Sequence, residues 1–432
     1  MSRLIIVANR VVIPKEGDHS AGGLAVGVLS ALDELGGVWF GCNGQITEDP
    51  KPRPPKITER GNITFATIDL NQEDHDGYYN GFSNNILWPL FHYMLGYYNY
   101  DRSQYEAYER VNQWFADGLI PLLEPDDIIW VHDYHLIPLA DKLRQGGIDR
   151  PIGFFLHVPF PAYGMLRVLP ISRKILEYLC RFDLVGFQTQ SDLDAFCDAV
   201  VSSLGASMEE DHTLLVDGRK VRVGVFPIGV DLDQIAESAS SIERYEYANR
   251  LITSLAGRNL IIGADRLDYS KGIPERLRSY ERLLEKFPQY RGRIVYMQIS
   301  APSRTDIRGY QDIKNEVDAL LGGITGQYSK FDWVPIRYIE QAFERDILMA
   351  FFRVAKLGMA TPLRDGMNLV AKEYMAAQNP EDPGILVLSK LAGSAKELTD
   401  AILVNPYDPD EVATGIERGL EMPLAERRDR YQ

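Results

Sequence analysis

The sequence predicts an α/β protein with two doubly wound domains in tandem. Short apolar, β-branched segments alternate with longer amphipathic segments from end to end, which is the pattern of parallel strands that are buried on both faces and connected by helices. The length of 432 residues exceeds what one hydrophobic core usually serves. A polar stretch at 236–246 follows the last strand-like segment of the first half. These observations predict domains at 1–232 and 233–432.

Each domain contains one series of predicted strands. In the first domain the strand-like segments are 4–9, 127–132, 152–158, 183–188 and 220–228, and in the second they are 259–265, 293–300, 356–362, 384–389 and 401–406. Between them, 273–287 carries apolar residues at helical spacing, and 48–56, rich in proline and lysine, is typical of a surface loop. The chain ends at Gln432 inside a charged helical segment, which indicates a truncated terminus and a last helix that is a candidate to return to the first domain.

Charge and composition disfavour several kinds of partner. The net charge is −15, which argues against nucleic acid and anionic membranes because both are bound through basic surfaces. No segment approaches the roughly 20 apolar residues of a membrane span, and the first residues lack the pattern of a secretion signal. The three cysteines lack metal-ligand spacing and fit a reducing compartment. We therefore predict a cytoplasmic protein, and the sequence leaves homo-oligomerisation open.

A glycine pair follows the first predicted strand, which ends at Arg10. Gly22 and Gly23 precede an apolar helical segment. Glycine lets the backbone approach a ligand closely, and the N–H groups of a helix start suit phosphate or sugar oxygens. The spacing is not the dinucleotide fingerprint, so a purely structural turn is the alternative interpretation.

The segment 74–93 is too rich in polar and aromatic residues for a simple core strand. Tyr79, Trp88 and His92 are candidates to line a sugar site, because aromatic faces and polar groups suit carbohydrate. The alternative is a set of aromatic side chains that pack an irregular loop.

Polar side chains also follow two adjacent predicted strands. Asp133, Tyr134 and His135 come just after one strand, and His157 ends the next. Open α/β sheets bind ligands at this edge, so we expect these side chains to meet at one site. His132, Asp133 and His135 could suggest a metal site, but a carboxylate that binds hydroxyls is simpler because no second ligand cluster is visible.

Three cations follow strands of the second domain. Arg266 and Lys271 lie between a strand and a helix, and Arg304 comes after the next strand. Long cationic side chains gain little from surface pairs and much from a buried phosphate. The pattern therefore indicates a diphosphate clamp, with solvated surface charges as the alternative.

The segment 361–374 is the most specific of these motifs. Gly366 allows a tight backbone turn, a helix is expected to begin at Met367 or Asn368, and its N–H groups would face a phosphate. Glu373 lies about two turns along that helix, where it could accept hydrogen bonds from a ribose. Asp365 precedes the turn, either as a ligand at the mouth of the site or as a plain N-cap.

Taken together, these motifs resemble the retaining glycosyltransferases of the trehalose-6-phosphate synthase family, glycosyltransferase family 20. The similarity is nearly continuous from Met1 to about residue 425 and is carried by VANR, AGGLAVG, YYNGFSN, LWPLFHY, DIIWVHDYHL, GFFLHVPFP, RLDYSKG, SRTDIRGYQDI, TPLRDGMNLVAKEY and NPYDPDEVA. The resemblance implies the GT-B arrangement, in which two Rossmann-like domains face across a cleft. It also implies transfer of glucose from UDP-glucose, as co-substrate, to glucose 6-phosphate with retention, without a metal or cofactor.

The resemblance further implies an acceptor-binding first domain, a nucleotide-sugar-binding second domain and a role for each matched residue. The implied acceptor ligands are Arg10, Tyr79 and Arg304 for the phosphate, and Trp88 and Asp133 for the sugar. The implied donor ligands are Gly22, Gly23, Arg266, Lys271, Phe343, Gly366, Met367, Asn368, Leu369, Val370 and Glu373. The implied catalytic group is Asp133, His157, Arg266, Lys271 and Asp365. Of these, His157 and Asp365 would bind hydroxyls of the donor glucose, and Phe343 would help to hold the uracil.

The family lacks the carboxylate nucleophile that a double displacement requires. The implied mechanism is front-face attack, in which the leaving diphosphate accepts the proton of the acceptor hydroxyl, so that positioning and charge stabilisation provide the catalysis. The sequence departs from the family at Cys42-Asn43-Gly44, where relatives usually have a tryptophan and a small residue, and at Ala162-Tyr163-Gly164, where polar and acidic residues are usual.

Three alternatives stay open. The first is the same fold with another phosphorylated acceptor, such as glycerol phosphate or a cyclitol phosphate. The second is a UDP-sugar epimerase, which would need an acid and base pair at the donor carbon. The third is a sugar-phosphate sensor without turnover. The sequence also leaves the choice between UDP, ADP and GDP open.

Overall fold

A computed structural model of the protein describes residues 2–14, 23–49, 53–240, 242–304 and 307–432. The chain divides into two compact units, Met1–Pro227 and Ile228–Gln432. Each unit is an α/β structure built on one twisted sheet, and every predicted strand segment overlaps an observed strand. The predicted class of two doubly wound α/β domains is confirmed. Within the described ranges, no helix combines the length and the apolar character needed to cross a lipid bilayer.

The strands of the first unit are β1 (Leu4–Arg10), β2 (Gly37–Thr47), β3 (Lys56–Arg60), β4 (Ile63–Asn71), β5 (Ile128–His132), β6 (Ile152–Phe155), β7 (Leu184–Phe187), β8 (Ser207–Glu209), β9 (Thr213–Val216) and β10 (Arg219–Val225). Its α-helices are α1 (Gly23–Leu35), α2 (Gln72–His75), α3 (Trp88–Phe91), α4 (Arg102–Leu119), α5 (Leu139–Gln145), α6 (Tyr163–Leu166), α7 (Ser172–Leu179) and α8 (Gln190–Leu204).

In the first sheet the strands lie in the order β3-β4-β2-β1-β5-β6-β7-β10-β9-β8. The central strands from β4 to β10 are parallel, and the edge strands β3, β9 and β8 pair antiparallel. The chain adds strands on one side of β1 and then crosses to the other side, so the order reverses between β1 and β5. The core beneath this point contains Ile6, Leu32, Trp39 and Phe65, each at most 1% exposed.

Sequence periodicity missed some elements of the first unit. The strand β2 is 11 residues long, but its residues from Asn43 onward are exposed or half-buried, and it contains Gly41 and Gly44, which obscures a strand pattern. The segment 74–93 is helical rather than an irregular loop. Asp76–Leu87 is a π-helix that continues into α3, and the Trp88 N–H donates to the carbonyl of Ser83, five residues earlier. This helix packs on α4 through Phe82 and Tyr108, whose ring centroids are 4.5 Å apart.

The strands of the second unit are β11 (Asn259–Arg266), β12 (Ile294–Ala301), β13 (Ile336–Ile339), β14 (Leu357–Ala360), β15 (Ile385–Ser389) and β16 (Ile402–Val404). Its α-helices are α9 (Leu232–Ser240), α10 (Ile242–Leu255), α11 (Ile273–Lys286), α12 (Arg308–Tyr328), α13 (Arg345–Val354), α14 (Leu369–Ala376), α15 (Pro409–Glu421) and α16 (Leu424–Tyr431).

The second sheet is parallel throughout its described strands, in the order β13-β12-β11-β14-β15-β16. Numbered along the chain within this unit, the order is 3-2-1-4-5-6, which is that of Rossmann folds. The order reverses between β11 and β14. The predicted helix at 273–287 is present as α11, and Leu277, Tyr280 and Leu284 on its inner face are fully buried. The charged terminal segment is helical as expected, and in α16 Arg427 donates to the Pro383 carbonyl of the same unit.

Candidate active site

Four of the predicted site residues end or follow the strands at which each sheet reverses its order. Arg10 ends β1 and Asp133 follows β5 in the first unit, while Arg266 ends β11 and Asp365 comes after β14 in the second. In open α/β sheets, helices leave in opposite directions at a reversal and open a crevice at the carboxyl edge. The structure therefore places these four residues where the fold class binds ligands.

Asp133 and His157 tie two strand ends together in the first unit. The backbone of Asp133 is left-handed, with φ of 75°, and its N–H donates to the Phe155 carbonyl at 2.8 Å. Its carboxylate Oδ1 accepts a hydrogen bond from the His157 backbone N–H at 3.2 Å. These bonds bring the Asp133 carboxylate to the end of the adjacent strand, while a shared ligand site of these side chains stays a prediction.

His132 and His157 form a neutral pair at the same edge. His132 Nδ1 lies 3.0 Å from His157 Nε2, and the ring centroids are 5.3 Å apart. Burial lowers the pKa of His157 to about 4. Burial, and then the neighbouring His157, lowers the pKa of His132 well below its ordinary range. At neutral pH one ring nitrogen therefore donates to the other. Sequence reasoning considered His132 only as a metal ligand, although its place at the end of β5, beside the strand that leads to His157, is a signal for this pairing.

The aromatic residues of the helical segment 76–91 pack against the chain after β5. The half-buried Tyr79 ring stacks on His135 with centroids 5.7 Å apart and an interplanar angle of 12°. Trp88 is 5% exposed, and its ring lies 4.1 Å from His92 and 5.8 Å from Tyr134. Tyr79 and Trp88 thus lie within one aromatic group beside the reversal point. His92 is 2% exposed, so its ring is part of the core behind Trp88.

Arg10 is exposed at the end of β1 and lies over Gly44 of β2. Gly44 has a φ of +82°, and a Cβ there would lie 3.0 Å from three atoms of the Arg10 guanidinium. The backbone therefore favours glycine, and a Cβ at this position would displace the Arg10 guanidinium by a few tenths of an ångström. The neighbouring Cys42 is 7% exposed. Gly23 begins α1 as expected, whereas Gly22 lies outside the described residues.

In the second unit, a short turn presents Lys271. The 3-10 turn Tyr269–Lys271 follows β11 and is closed by Gly272, whose φ is +63° and where a Cβ would lie 2.8 Å from the Thr361 carbonyl oxygen. Lys271 Nζ lies 2.5 Å from Asp365 Oδ2. Residues 94 positions apart in the sequence are thereby joined across the reversal point.

The loop after β14 differs from the expectation in one respect. The helix α14 begins at Leu369, not at Met367 or Asn368. Asn368 is its N-cap, because its left-handed backbone, with φ of 72°, cannot be helical and its Oδ1 accepts from the Ala371 N–H at 3.0 Å. The interpretation of Asp365 as a plain N-cap is therefore wrong. The Asn368 side chain also donates to Asp365 at 3.1 Å, which orients that carboxylate.

The remaining predicted donor residues lie around α14. Gly366, Met367 and Asn368 are buried in the loop before the helix, and Leu369 and Val370 are half-buried in its first turn. Glu373 lies 3.3 Å from Arg345 Nε on α13. Burial raises the pKa of Glu373, and Arg345 opposes that shift. Phe343, just before α13, packs edge-on against Phe351 with centroids 5.3 Å apart.

Arg304 lies beyond the end of β12 and is paired with a buried carboxylate. Its side chain is 6% exposed, and Nη1 lies 3.5 Å from Asp268 Oδ2. Burial by itself would raise the pKa of Asp268, but Arg304, Arg266 and Lys271, together with the Ser270 N–H, lower it to about 2. The structure thus groups all three predicted cations around one carboxylate.

Sequence reasoning missed the residues that hold this group in place. Asp268 is fully buried, and Arg276 on α11 is 1% exposed. The Arg276 guanidinium donates to acceptors in two strands, in the residue that follows β14 and in a turn: Asp265, Gln298, Thr361 and the Lys271 carbonyl. An arginine in an amphipathic helix is normally a surface residue, so the sequence carried no signal for this role. Within the described ranges, no three His, Cys, Asp or Glu side chains are grouped so that they could hold a metal ion.

Comparison with known proteins places this geometry in a family. A curated protein from Klebsiella pneumoniae, named trehalose-6-phosphate synthase, is 49% identical over 431 residues, which cover 100% of this chain and 90% of that protein. The crystal structure of an alpha,alpha-trehalose-phosphate synthase (UDP-forming) from Burkholderia xenovorans in complex with glucose-6-phosphate has a TM-score of 0.95 at 50% identity, covering 100% of this chain and 94% of that one. An E. coli structure described as trehalose-6-phosphate bound with UDP-2-fluoro glucose has a TM-score of 0.95 at 47% identity, covering 100% and 94%. The model of glycosyltransferase family 20 matches residues 6–432, and the chain belongs to this family.

Proposed function

We propose that the protein transfers glucose from UDP-glucose to glucose 6-phosphate with retention of configuration, producing trehalose 6-phosphate and UDP. A relative with the name of this activity matches the whole chain, and a solved relative is in complex with glucose-6-phosphate. Another similar structure holds UDP-2-fluoro glucose, which differs from the proposed donor by one fluorine in place of a hydroxyl.

The group of three cations in the second unit carries the proposal. Arg266, Lys271 and Arg304 lie around Asp268 at the carboxyl edge of the sheet, in a chain with a net charge of −15. A protein with this overall charge repels anionic substrates at long range, so phosphates need a local excess of positive charge within a Debye length of about 8 Å. A donor with a diphosphate and an acceptor with a phosphate account for such a group.

We assign donor binding to the second unit. Arg266 and Lys271 neutralise the leaving diphosphate, since an ammonium has three N–H donors and Lys271 can bind Asp365 and a phosphate oxygen together. The loop before α14 and its first turn supply backbone N–H groups through Gly366, Met367, Asn368, Leu369 and Val370. Glu373 accepts hydrogen bonds from the ribose, and Phe343 packs beside the uracil. Asp365 accepts hydrogen bonds from hydroxyls of the donor glucose.

We assign the acceptor sugar and part of the donor sugar to the first unit. Arg10, Tyr79 and Arg304 are assigned to the acceptor phosphate, as the sequence predicts. Trp88 and Asp133 contact the acceptor sugar, for which an aromatic face and a carboxylate are suited. His157, neutral at physiological pH, binds a hydroxyl of the donor glucose. Gly23 at the start of α1 is assigned to the donor, as the sequence also predicts for Gly22.

The chemistry follows from these positions. The acceptor hydroxyl attacks the anomeric carbon on the face from which UDP departs, the bond from that carbon to the diphosphate oxygen breaks, and the diphosphate takes the hydroxyl proton. The protein contributes orientation and stabilises the charge that develops on the diphosphate. Removing one such positive charge costs about 3 kcal/mol of transition-state stabilisation, or roughly a hundredfold in rate.

The test is an assay for UDP release from UDP-glucose with and without glucose 6-phosphate, followed by mass and NMR analysis of the product. We expect UDP release only with the acceptor, and an α,α-linked disaccharide phosphate. UDP release only with a different phosphorylated acceptor would overturn the acceptor assignment, and inverted configuration would overturn the mechanism. Addition of EDTA is expected to leave the rate unchanged.

A further inference from the structure

Asp268 lies two residues beyond the end of β11 and is fully buried. One of its carboxylate oxygens, Oδ1, accepts hydrogen bonds at 2.9 Å from both the backbone N–H and the hydroxyl of Ser270. These bonds cap the turn Tyr269–Lys271, and the Lys271 N–H donates to the Asp268 carbonyl at 3.0 Å. The position of Lys271 therefore depends on Asp268.

The other carboxylate oxygen, Oδ2, faces Arg304. It accepts a hydrogen bond from the Tyr310 hydroxyl at 3.0 Å and lies 3.5 Å from Arg304 Nη1. The same Nη1 also donates to the Tyr310 hydroxyl. The backbone of Arg304 is left-handed, with φ of 49°, which is uncommon for a residue other than glycine. A guanidinium held in this backbone and removed from water requires a charged partner, and Asp268 provides it.

The charge of Asp268 is secured by its surroundings. The three cations around it lower its pKa to about 2 against the effect of burial, so the carboxylate is ionised at neutral pH. Asp268, together with Asp365, which pairs with Lys271, brings two negative charges against the three positive charges of Arg266, Lys271 and Arg304. The group consequently keeps the excess positive charge that a phosphate ligand needs.

A second buried ion pair in the same unit, Asp265 with Arg276, has a purely structural role and contrasts with the pair of Asp268 and Arg304. Burial raises the pKa of Asp265 although it is paired with Arg276 at 2.6 Å. Every nitrogen of the Arg276 guanidinium donates to a protein oxygen. That pair joins strands to a helix, whereas the Asp268 carboxylate joins the turn that carries Lys271 to the side chain of Arg304.

We propose that Asp268 is a positioning residue that holds two phosphate-binding elements at once, the Lys271 turn through Oδ1 and the Arg304 guanidinium through Oδ2. The inference rests on the proposed function, in which Lys271 binds the donor diphosphate and Arg304 the acceptor phosphate. Asp268 thereby fixes the separation of the two phosphates without touching either substrate.

Asp268→Asn separates the two tasks. The amide oxygen still accepts the hydrogen bonds from Ser270, so the Lys271 turn persists, but an NH2 group replaces the oxygen that faces Arg304 and cannot accept from a guanidinium. We expect the KM for glucose 6-phosphate to rise roughly 10-fold to 100-fold, the size of a lost charge-assisted hydrogen bond. The KM for UDP-glucose is expected to change by less than about threefold, because its clamp is retained. In Asp268→Ala, which loses both oxygens, kcat is expected to fall as well.

The matched control is Asp127→Asn. Asp127 is also a buried carboxylate, 1% exposed, and it pairs with one arginine, Arg3, through both oxygens at 3.0 and 2.9 Å. It lies at the amino-terminal edge of the first sheet, just before β5, away from the predicted ligands. We expect this variant to lose stability and to keep its KM for glucose 6-phosphate within about twofold. A general folding defect would lower kcat in both variants through the active fraction and would leave both KM values unchanged.

An unchanged KM for glucose 6-phosphate in folded Asp268→Asn would overturn the inference. If that variant does not fold, Tyr310→Phe decides in its place, because it removes the hydroxyl that links Oδ2 to Arg304 and keeps the carboxylate; a raised acceptor KM supports the inference and an unchanged one overturns it. Calorimetric titration of glucose 6-phosphate in the presence of UDP requires no turnover. It therefore tests Asp268 even if the wild-type protein releases no UDP, an outcome that would overturn only the proposed function.

Discussion

The two units have the same kind of sheet and differ in the charge at the point where the strand order reverses. In the first unit this edge carries neutral histidines, His132 and His157, next to a group of aromatic rings. In the second unit it carries ion pairs such as Lys271 with Asp365 and Arg304 with Asp268. The comparison shows that topology supplies the position of a site, whereas the side chains at that edge decide its chemistry. Neutral rings accompany Arg10 and Asp133 in the first unit, and buried ion pairs predominate in the second.

The difference also affects how each edge is held in place. A neutral imidazole pair can be buried at little cost as long as one nitrogen donates and the other accepts. Buried ions require partners with the opposite charge and further hydrogen bonds, because desolvation is otherwise prohibitive. The second unit accordingly contains additional buried groups behind its ligands, Asp268 and Arg276, for which the first unit shows no counterpart among the ion pairs described.

The largest effect is expected when a positive charge is removed from the carboxyl edge of the sheet in the second unit. Lys271→Met keeps most of the side-chain volume and deletes the ammonium, so that the departing diphosphate loses one cation. We expect kcat/KM to fall by about a hundredfold or more. Lys286→Met on α11 is the control, since Lys286 pairs with Asp410 on the surface, and its activity should stay within about twofold. Equal activity of the two variants would refute the diphosphate assignment.

A smaller effect is expected from Gly44→Ala in the first unit. The new Cβ would press on the Arg10 guanidinium in addition to straining the backbone, and we expect a rise of about tenfold in the KM for glucose 6-phosphate, the size of one weakened phosphate contact.

Gly61→Ala is the control for that strain. Gly61 also has a positive φ, +59°, but no atom lies within 4 Å of its Cβ position. Both variants should lose about 1 kcal/mol of stability, measured by urea unfolding. Only Gly44→Ala should change acceptor kinetics; a similar KM change in Gly61→Ala would attribute the effect to backbone strain alone.

Acid should weaken the first unit through its histidine pair. The folded-state pKa of His157 is about 4 and its ordinary value is 6.5, so the unfolded chain binds more protons between these values. The stability contributed by the neutral ring is complete above pH 6.5 and is lost as the pH falls towards 4, by roughly 3 kcal/mol. Urea unfolding followed by tryptophan fluorescence reports mainly on this unit, because four of the five tryptophans lie in it.

Comparison of the wild type with His157→Asn separates the stability contributed by His157 from that contributed by carboxylates, which titrate in the same pH range. The difference in unfolding free energy between the wild type and this variant should shrink, and then change sign or vanish, on going from pH 7 to pH 4.5. A difference that is independent of pH would contradict the assignment of a neutral His157.

The smallest effect concerns the thiols. All three cysteines lie in the first unit, and burial raises the pKa of Cys180 to about 12 and that of Cys197 to about 11, and raises the pKa of Cys42 further. We expect slow labelling by thiol reagents at pH 7.5 with no loss of activity, because the thiolate is the reactive form. Three thiols should react quickly in urea. Since the second unit has no cysteine, the native labelling rate measures opening of the first unit alone, and fast native labelling would contradict the burial of these residues.

Local patterns in the sequence were sufficient to predict the central strands of the two sheets. Apolar, β-branched runs such as 259–265 and 293–300 became β11 and β12 with ends shifted by one residue, because strands buried on both faces tolerate few polar residues. Edge and half-exposed strands were missed, since β13 has only its first residue fully buried and β3 has none. The π-helix at Asp76–Leu87 was missed for another reason: its spacing matches neither of the two periods on which sequence patterns are judged.

The sequence by itself determined the α/β class, the family and the position of the ligand-type residues at strand ends, because these depend on hydrophobic runs and on short motifs that are contiguous in the chain. Only the tertiary structure decided which of those residues meet. The contact of Lys271 with Asp365 spans 94 positions, and those of His132 with His157 and of Asp268 with Arg304 join neighbouring strands. Such contacts follow from strand order and register, and the burial of Asp268 and Arg276 follows from packing. The sequence determines strand order, register and packing only through the free energy of the whole fold.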